Sequence, residues 1–337
     1  MRTQPSCFRL LCVGLFVGGC AAKPQATPDP KMEPALPAPR VEKMREPLEV
    51  TPLELHFSGP RGATKANESV AVKNTSGEAV QVSGIRVVGA DAATFKIVDV
   101  PLLPVVMPPA SSFSFSVGFQ PGADAEPGVH HGRVRIVRSE DDDGPPCDLT
   151  GLVTKGKQPA DEPTLRQILE ALGYDVDVGA TSLALPEAVA GDEVQAALFQ
   201  RAKPGDVGLY LIARYTKDEA TSFGHYAVEA GKPVDKGIGS AAQGHNQTLN
   251  PELEGDSQTS FDPGETAFGL FLKTGKRIFY CEDNLNAGAH KHVAKVFPLR
   301  SRGRTPVQDA YVVAFDEDGD GDYQDHVFML WNVKLAQ

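Results

Sequence analysis

Residues 69–89 read SVAVKNTSGEAVQVSGIRVVG. Apolar and polar side chains alternate through SVAVKN, break at NTSG, and alternate again through VQVSGIRVV. A period of two sends Val70 and Val72 to one face and their neighbours to the other, which is the pattern of a half-buried strand. Asn, Ser and Gly in the break supply turn chemistry. Moving outward, LHFSG (55–59), ATFKIV (93–98), FSFSVGFQP (113–121), GRVRIVRS (132–139) and LTGL (149–152) repeat the pattern between turn clusters such as MPPASS and PGADAEPG. Strands spaced in this way, with no helical period between them, predict an antiparallel β-sandwich over residues 47–155.

The same stretch resembles the ASPM–SPD-2–Hydin type of immunoglobulin-like domain. The likeness is carried by the turn from Asn74 to Gly77, by Phe95, by the F-x-P of Phe119 and Pro121, and by the closing Gly151. Each has a structural part: a tight turn, core aromatics and a proline that ends an edge strand. The resemblance implies a spacer or binding module without catalytic residues. His130 and His131, after Pro127, read as solvated loop residues, and SEDDDGPP (139–146) as a solvated acidic turn.

A short connection leads to TLRQILEALGYDVDVG. Leu165, Ile168, Leu169 and Leu172 recur at helical spacing, Pro163 suits the first turn and Gly173 the stop. GDEVQAALFQRA (191–202) reads as a second short helix. Beyond residue 205 the pattern returns to strands in VGLYLIARYT, GHYAVEAG, TAFGLFLKT, RIFYCED, HVAKVFPLR, AYVVAF and HVFMLWNVKL, punctuated by Gly, Pro and Asn, with Trp331 expected to face the core. The fold class is therefore mainly β: two antiparallel β-sandwich domains, the second (160–337) with one or two short helices, after a disordered lipoprotein tether.

That tether begins the chain. Arg2 and Arg9 precede the apolar run LLCVGLFVGG and Cys20. The stretch VGGC resembles a bacterial lipobox, which implies a signal peptide over 1–19, lipid on Cys20 and a membrane partner through that lipid. Ala21 after the cysteine favours the outer membrane in a Gram-negative cell. Residues 20–46 are rich in Pro and Ala with no apolar period, the composition of an extended linker. The expected location is the cell envelope. The net charge of -11 argues against a nucleic-acid partner, which would meet a basic face. After Cys7, Cys12 and Cys20, two cysteines remain, Cys147 and Cys281; a disulfide between them and two separate thiols both stay open.

The last 80 residues resemble the bacterial secreted "domain of unknown function 4114", through FDPGETAFGLFL, FYCEDNLNAGAHKHVAKVFPL and the closing Phe315 followed by GDGDYQD (319–325). Gln324 stands where that family has asparagine. Five aspartates and a glutamate fall within residues 316–325. Alternating carboxylates with glycines between them suit the oxygen-rich shell of Ca2+, so Asp316, Asp318, Asp320, Asp322 and Asp325 are the candidate ligands. Val327 stands where an EF-hand carries its bidentate Glu, so the loop is not an EF-hand. A solvated acidic hairpin is the competing reading. The expected function is a membrane-anchored binding, adhesion or envelope-interaction protein, not an enzyme, with an envelope glycan or protein as ligand. The alternatives are a hydrolase using His290, His292 and nearby acids, or a structural spacer.

Overall fold

A computed structural model describes residues 46–336 apart from 66, 140, 141, 158 and 289. The signal-peptide region, Cys20 and all but the last residue of the tether lie outside that range. Among the described residues no helix is long and apolar enough to cross a membrane.

The first strands are β1 (Leu48–Thr51), β2 (Glu54–Pro60), β3 (Glu68–Asn74), β4 (Val80–Val82), β5 (Gly84–Val88), β6 (Phe95–Val98), β7 (Val105–Met107), β8 (Ser112–Phe119), β9 (Gly128–Ser139), β10 (Asp142–Asp143) and β11 (Cys147–Thr154). One sheet runs β1-β3-β8-β6 and the other β10-β9-β11-β2, with β5 also paired to β9. Their inner faces meet in a shared core, where Phe57 stacks on Phe119 at 5.8 Å and Phe95 tilts against it at 5.7 Å. The pairing of β11 with β2 is parallel, a departure from the purely antiparallel expectation. Asn74 holds the turn that the sequence marked: its buried amide donates to Glu78 O and Met107 O and accepts from Ser76 N.

Helix α1 (Leu165–Ala171) follows, with Thr164 and Gln167 forming a reciprocal capping box that satisfies orphan N–H groups. Then come β12 (Phe199–Arg201), β13 (Val207–Tyr215), β14 (Thr221–Glu229), β15 (Lys232–Ala241), β16 (Gln247–Leu249), β17 (Ser260–Phe261), β18 (Gly269–Thr274), β19 (Arg277–Tyr280), β20 (Ala294–Ser301), β21 (Thr305–Phe315), β22 (His326–Trp331) and β23 (Val333–Leu335). A sheet ordered β16-β13-β22-β21-β20, with β17 on β13, faces a sheet ordered β15-β14-β18-β19. Phe223, Phe268, Phe315 and Phe328 fill the space between them. The opposite face of the first of these sheets is covered too: Ile212, Val312 and Val327 pack with α1 and with Leu152 of β11. His56 of β2 bonds Ala171 O at 2.8 Å, and Leu249 N donates to Ser58 Oγ at 3.0 Å. The two sandwiches thus share apolar and polar contacts, and the described residues form one compact unit.

Several expectations change. Residues 191–198 are irregular and lead into β12, so there is one α-helix among the described residues rather than two. Asp192 N donates to Asp177 O and Val194 N to Val296 O, and Phe199 N, where β12 begins, donates to Phe268 O, so these donors serve distant partners instead of an i→i−4 ladder. Trp331 is 55 % exposed, not a core residue. Phe328 and Leu330 point into the space between the sheets, while Trp331 lies on the other face beyond the cover of α1. His130 and His131 belong to β9, paired with β11, and His130 is half-buried against Thr94 and Glu126 O. Cys147 and Cys281 are free and buried, which pushes both thiols up to about 12.

Candidate metal centre

Residues 316–325 join β21 to β22, two neighbouring strands of the central sheet. A ten-residue turn between paired strands must reverse sharply, and Gly319 and Gly321 do so at φ 76° and 87°, where a side chain would be strained. Two of the aspartates organise the turn. Asp316 accepts from Gly319 N at 2.7 Å and Gly321 N at 2.9 Å, and Asp325 accepts from Glu317 N at 2.7 Å. These charge-assisted bonds draw both carboxylates inward instead of out to water.

The result is a buried convergence. Ligand oxygens of Asp316, Asp322 and Asp325 lie within 4.8 Å of one another, and all three residues are buried. The other two candidates point elsewhere: Asp318 pairs with Lys217 at 2.9 Å, and Asp320 is exposed, accepting from Asp322 N. The structure therefore brings together three of the five aspartates singled out in the sequence. It also adds Gln324, which the sequence reading had treated only as a departure from asparagine. Gln324 is fully buried; its Nε2 donates to Asp322 Oδ2 at 2.7 Å and to Glu162 Oε2 at 2.8 Å, while its Oε1 has no partner. Glu162, from the connection ahead of α1, had no sequence signal at all.

Burial is the first cause of the electrostatic state of this cluster. It pushes the Asp325 carboxyl up to about 9, with Asp322 and Glu317 adding like charge, and it raises Asp322 in the same way. Glu162 is raised as well, by burial ahead of the charges of Asp320 and Asp318. Buried carboxylates facing one point repel one another when ionised, and a positive charge placed among them relieves that repulsion. An orphaned amide oxygen beside them is a further oxygen donor. The residues present fit a hard cation such as Ca2+: carboxylates and a carbonyl, with no soft ligand among them.

His290 and His292 do share one region, a groove of about 900 Å³ beside the cluster. His290 Nε2 lies 3.1 Å from Asp316 Oδ2, so it covers the cluster on that side. His292 sits between Asp283, 3.1 Å from Nδ1, and Glu193, 3.4 Å from Nε2. Glu193 is in turn paired with Lys295 at 2.7 Å, both buried, and Lys295 lies over the Tyr323 ring. Tyr323 closes the arrangement by donating to His292 O at 2.7 Å.

No family model matches the chain, and no curated protein matches it. Among solved structures it is similar to the Salmonella enterica SafA pilin in complex with the SafB chaperone (12 % identity, TM-score 0.24, covering 65 % of this chain and 95 % of that one). It is similar in the same degree to the E. coli chaperone DraB (11 %, TM-score 0.25, 62 % and 96 %). A family 123 glycoside hydrolase from Clostridium perfringens matches at 12 % identity and TM-score 0.25, covering 33 % of this chain, which spans a quarter of that enzyme's length. Likenesses this low do not bear on activity.

Proposed function

We propose that the protein is a lipid-anchored binding protein of the cell envelope whose second sandwich is stapled by Ca2+. The anchor is Cys20 and the ligand an envelope glycan or protein. The observation that carries the cation is the convergence of the buried Asp316, Asp322 and Asp325 carboxylates, with the Gln324 amide against Asp322. Three carboxylates and a carbonyl supply much of the six to eight oxygens that Ca2+ takes, and water supplies the rest. Bound there, the ion would neutralise the crowded carboxylates and fix the turn between β21 and β22. Its part is structural, since the turn closes two strands of the sheet. The neighbouring groove has the volume typical of a ligand site.

Titration calorimetry of the whole chain in detergent tests this reading, paired with melting in Ca2+ and in chelator. The expected outcome is heat of binding with Ca2+ and a raised Tm. At a hundredfold excess over Kd the ion adds about 2.7 kcal/mol of stability. Asp322→Ala should abolish both signals. Absence of heat at millimolar Ca2+, with identical melting in chelator, would return the turn to an acid hairpin without a bound ion.

A further inference from the structure

A second cleft, of about 790 Å³ and separate from the groove at His290 and His292, opens where the first sandwich meets α1. Strands β9 and β11 and the end of β5 line one side, and α1, the segment after it and Arg302 line the other. Leu149 of β11 and Val176, both buried, supply an apolar patch. A volume of this size at a junction between two folded bodies is typical of small-ligand sites. Some of its charged groups are already occupied: Arg133 pairs with Asp148, and Asp91 accepts from His131 N at 2.9 Å. Arg166, Glu170, Asp175 and Arg302 are not. Among the described residues, none of these four side chains has an ion-pair or hydrogen-bond partner. Arg166 and Glu170 stand one turn apart on α1, and Arg302 lies along Gly173, its Nε 3.8 Å from where a side chain at 173 would begin.

Two free bases and two free acids in one cleft restrict the chemistry of an occupant. A ligand of either charge sign would be attracted by half of them and repelled by the other half. A neutral ligand whose groups both donate and accept can satisfy all four. Guanidinium and carboxylate are planar and two-pronged, and adjacent hydroxyls on a sugar ring can offer each of them a pair of bonds. A peptide also donates and accepts, but in β folds it does so by adding its backbone to a free sheet edge. Strands β9 and β11 offer none, since each is paired on both sides. We infer that this cleft binds a neutral oligosaccharide, with Arg166, Glu170, Asp175 and Arg302 holding its hydroxyls beside the apolar patch of Leu149 and Val176. The inference rests on the reading of the protein as a binder of an envelope ligand and is independent of the Ca2+ reading. It commits that ligand to a glycan and puts it in contact with both sandwiches.

The test applies the whole chain in detergent to an array of neutral oligosaccharides and to an array of random heptapeptides, then titrates the tightest-binding sugar. Wild type should bind sugars and not peptides. Arg302→Ala and Asp175→Asn should each weaken the sugar about tenfold or more, the loss that follows removal of a hydrogen bond to a charged group. Their melting should stay at the wild-type value, because neither side chain has a partner to lose. Lys276→Ala removes a charge from the exposed turn between β18 and β19 and should bind as wild type does. If Asp175→Asn does not fold, Glu170→Gln on the exposed side of α1 takes its place with the same expected weakening. Unchanged sugar binding in the cleft variants would overturn the cleft while leaving the protein a glycan binder. Binding to peptides alone would overturn the inference and leave a protein as the envelope ligand. Binding to neither array would overturn the inference and the envelope-ligand reading together, while the Ca2+ reading would stand or fall on its own calorimetry.

Discussion

Gly151 is required by contact, not by backbone conformation. A Cβ added there would stand 2.1 Å from Phe119 Cε2. Phe119 has nowhere to go, since Phe57 and Phe95 pack on it from two sides. Gly151→Ala should therefore cost about 1–3 kcal/mol, read as a lower denaturant midpoint, and an unchanged midpoint would mean that the aromatic cluster yields easily. His225 is a buried residue of a different kind. It stacks on Phe261 at 4.3 Å with its Nδ1 unpartnered, and burial, helped by the Lys236 charge, lowers it to about 4 from the ordinary value near 6.5. The unfolded chain takes up the proton first, so this residue's contribution is complete above about pH 6.5 and is lost as pH falls toward 4. Melting at pH 7.5 and pH 5 should show a steeper loss in wild type than in His225→Phe. Equal slopes would show that the ring is neither dry nor neutral.

Among the elements, α1 is legible in outline, although it spans only seven residues and Pro163, expected in its first turn, stands ahead of the Thr164 cap. Its helical spacing, Pro163 before it and Gly173 after it are local signals, and the capping box closes on Thr164 and Gln167. Thr164→Ala removes one half of that box and should cost about 1 kcal/mol in thermal or chemical unfolding. A loss much below that would mean that packing alone holds the helix. Residues 191–202 show the opposite case. Their apolar spacing is compatible with a helix, but the donors at Val194 and Phe199 are claimed by strands β20 and the segment before β18. Short helical patterns give way when a sheet edge offers backbone partners, because an isolated helix of this length is marginal on its own.

Across the molecule, the sheet containing β13, β21 and β22 is the common wall. One face builds the core with the β14 sheet, and the other receives α1 and Leu152. That double burial explains why AYVVAF and HVFML are nearly continuous apolar runs rather than clean alternations. It also explains Trp331, whose expected place was the core: cover on the second face stops short of the end of β22. The acidic turn projects from this wall at the point where the connection from the first sandwich crosses it, so Glu162 meets Gln324 there.

The sequence by itself determined many of the strands, the helix, the turn at Asn74 and the ten-residue acidic turn, because each is encoded by neighbours: apolar strand runs, a period of 3.6, or turn residues in a row; β15 (Lys232–Ala241), with an exposed middle, left no such mark. It also marked Asp316, Asp322 and Asp325, though without separating them from Asp318 and Asp320. That separation depended on which carboxylates the backbone N–H groups of the turn drew inward and which found Lys217 or water. The parallel pairing of β11 with β2, the exposure of Trp331 and the approach of Glu162 were decided by tertiary structure alone. Each depends on partners far away in the chain, and the packing of distant segments leaves no periodic trace at the position it affects.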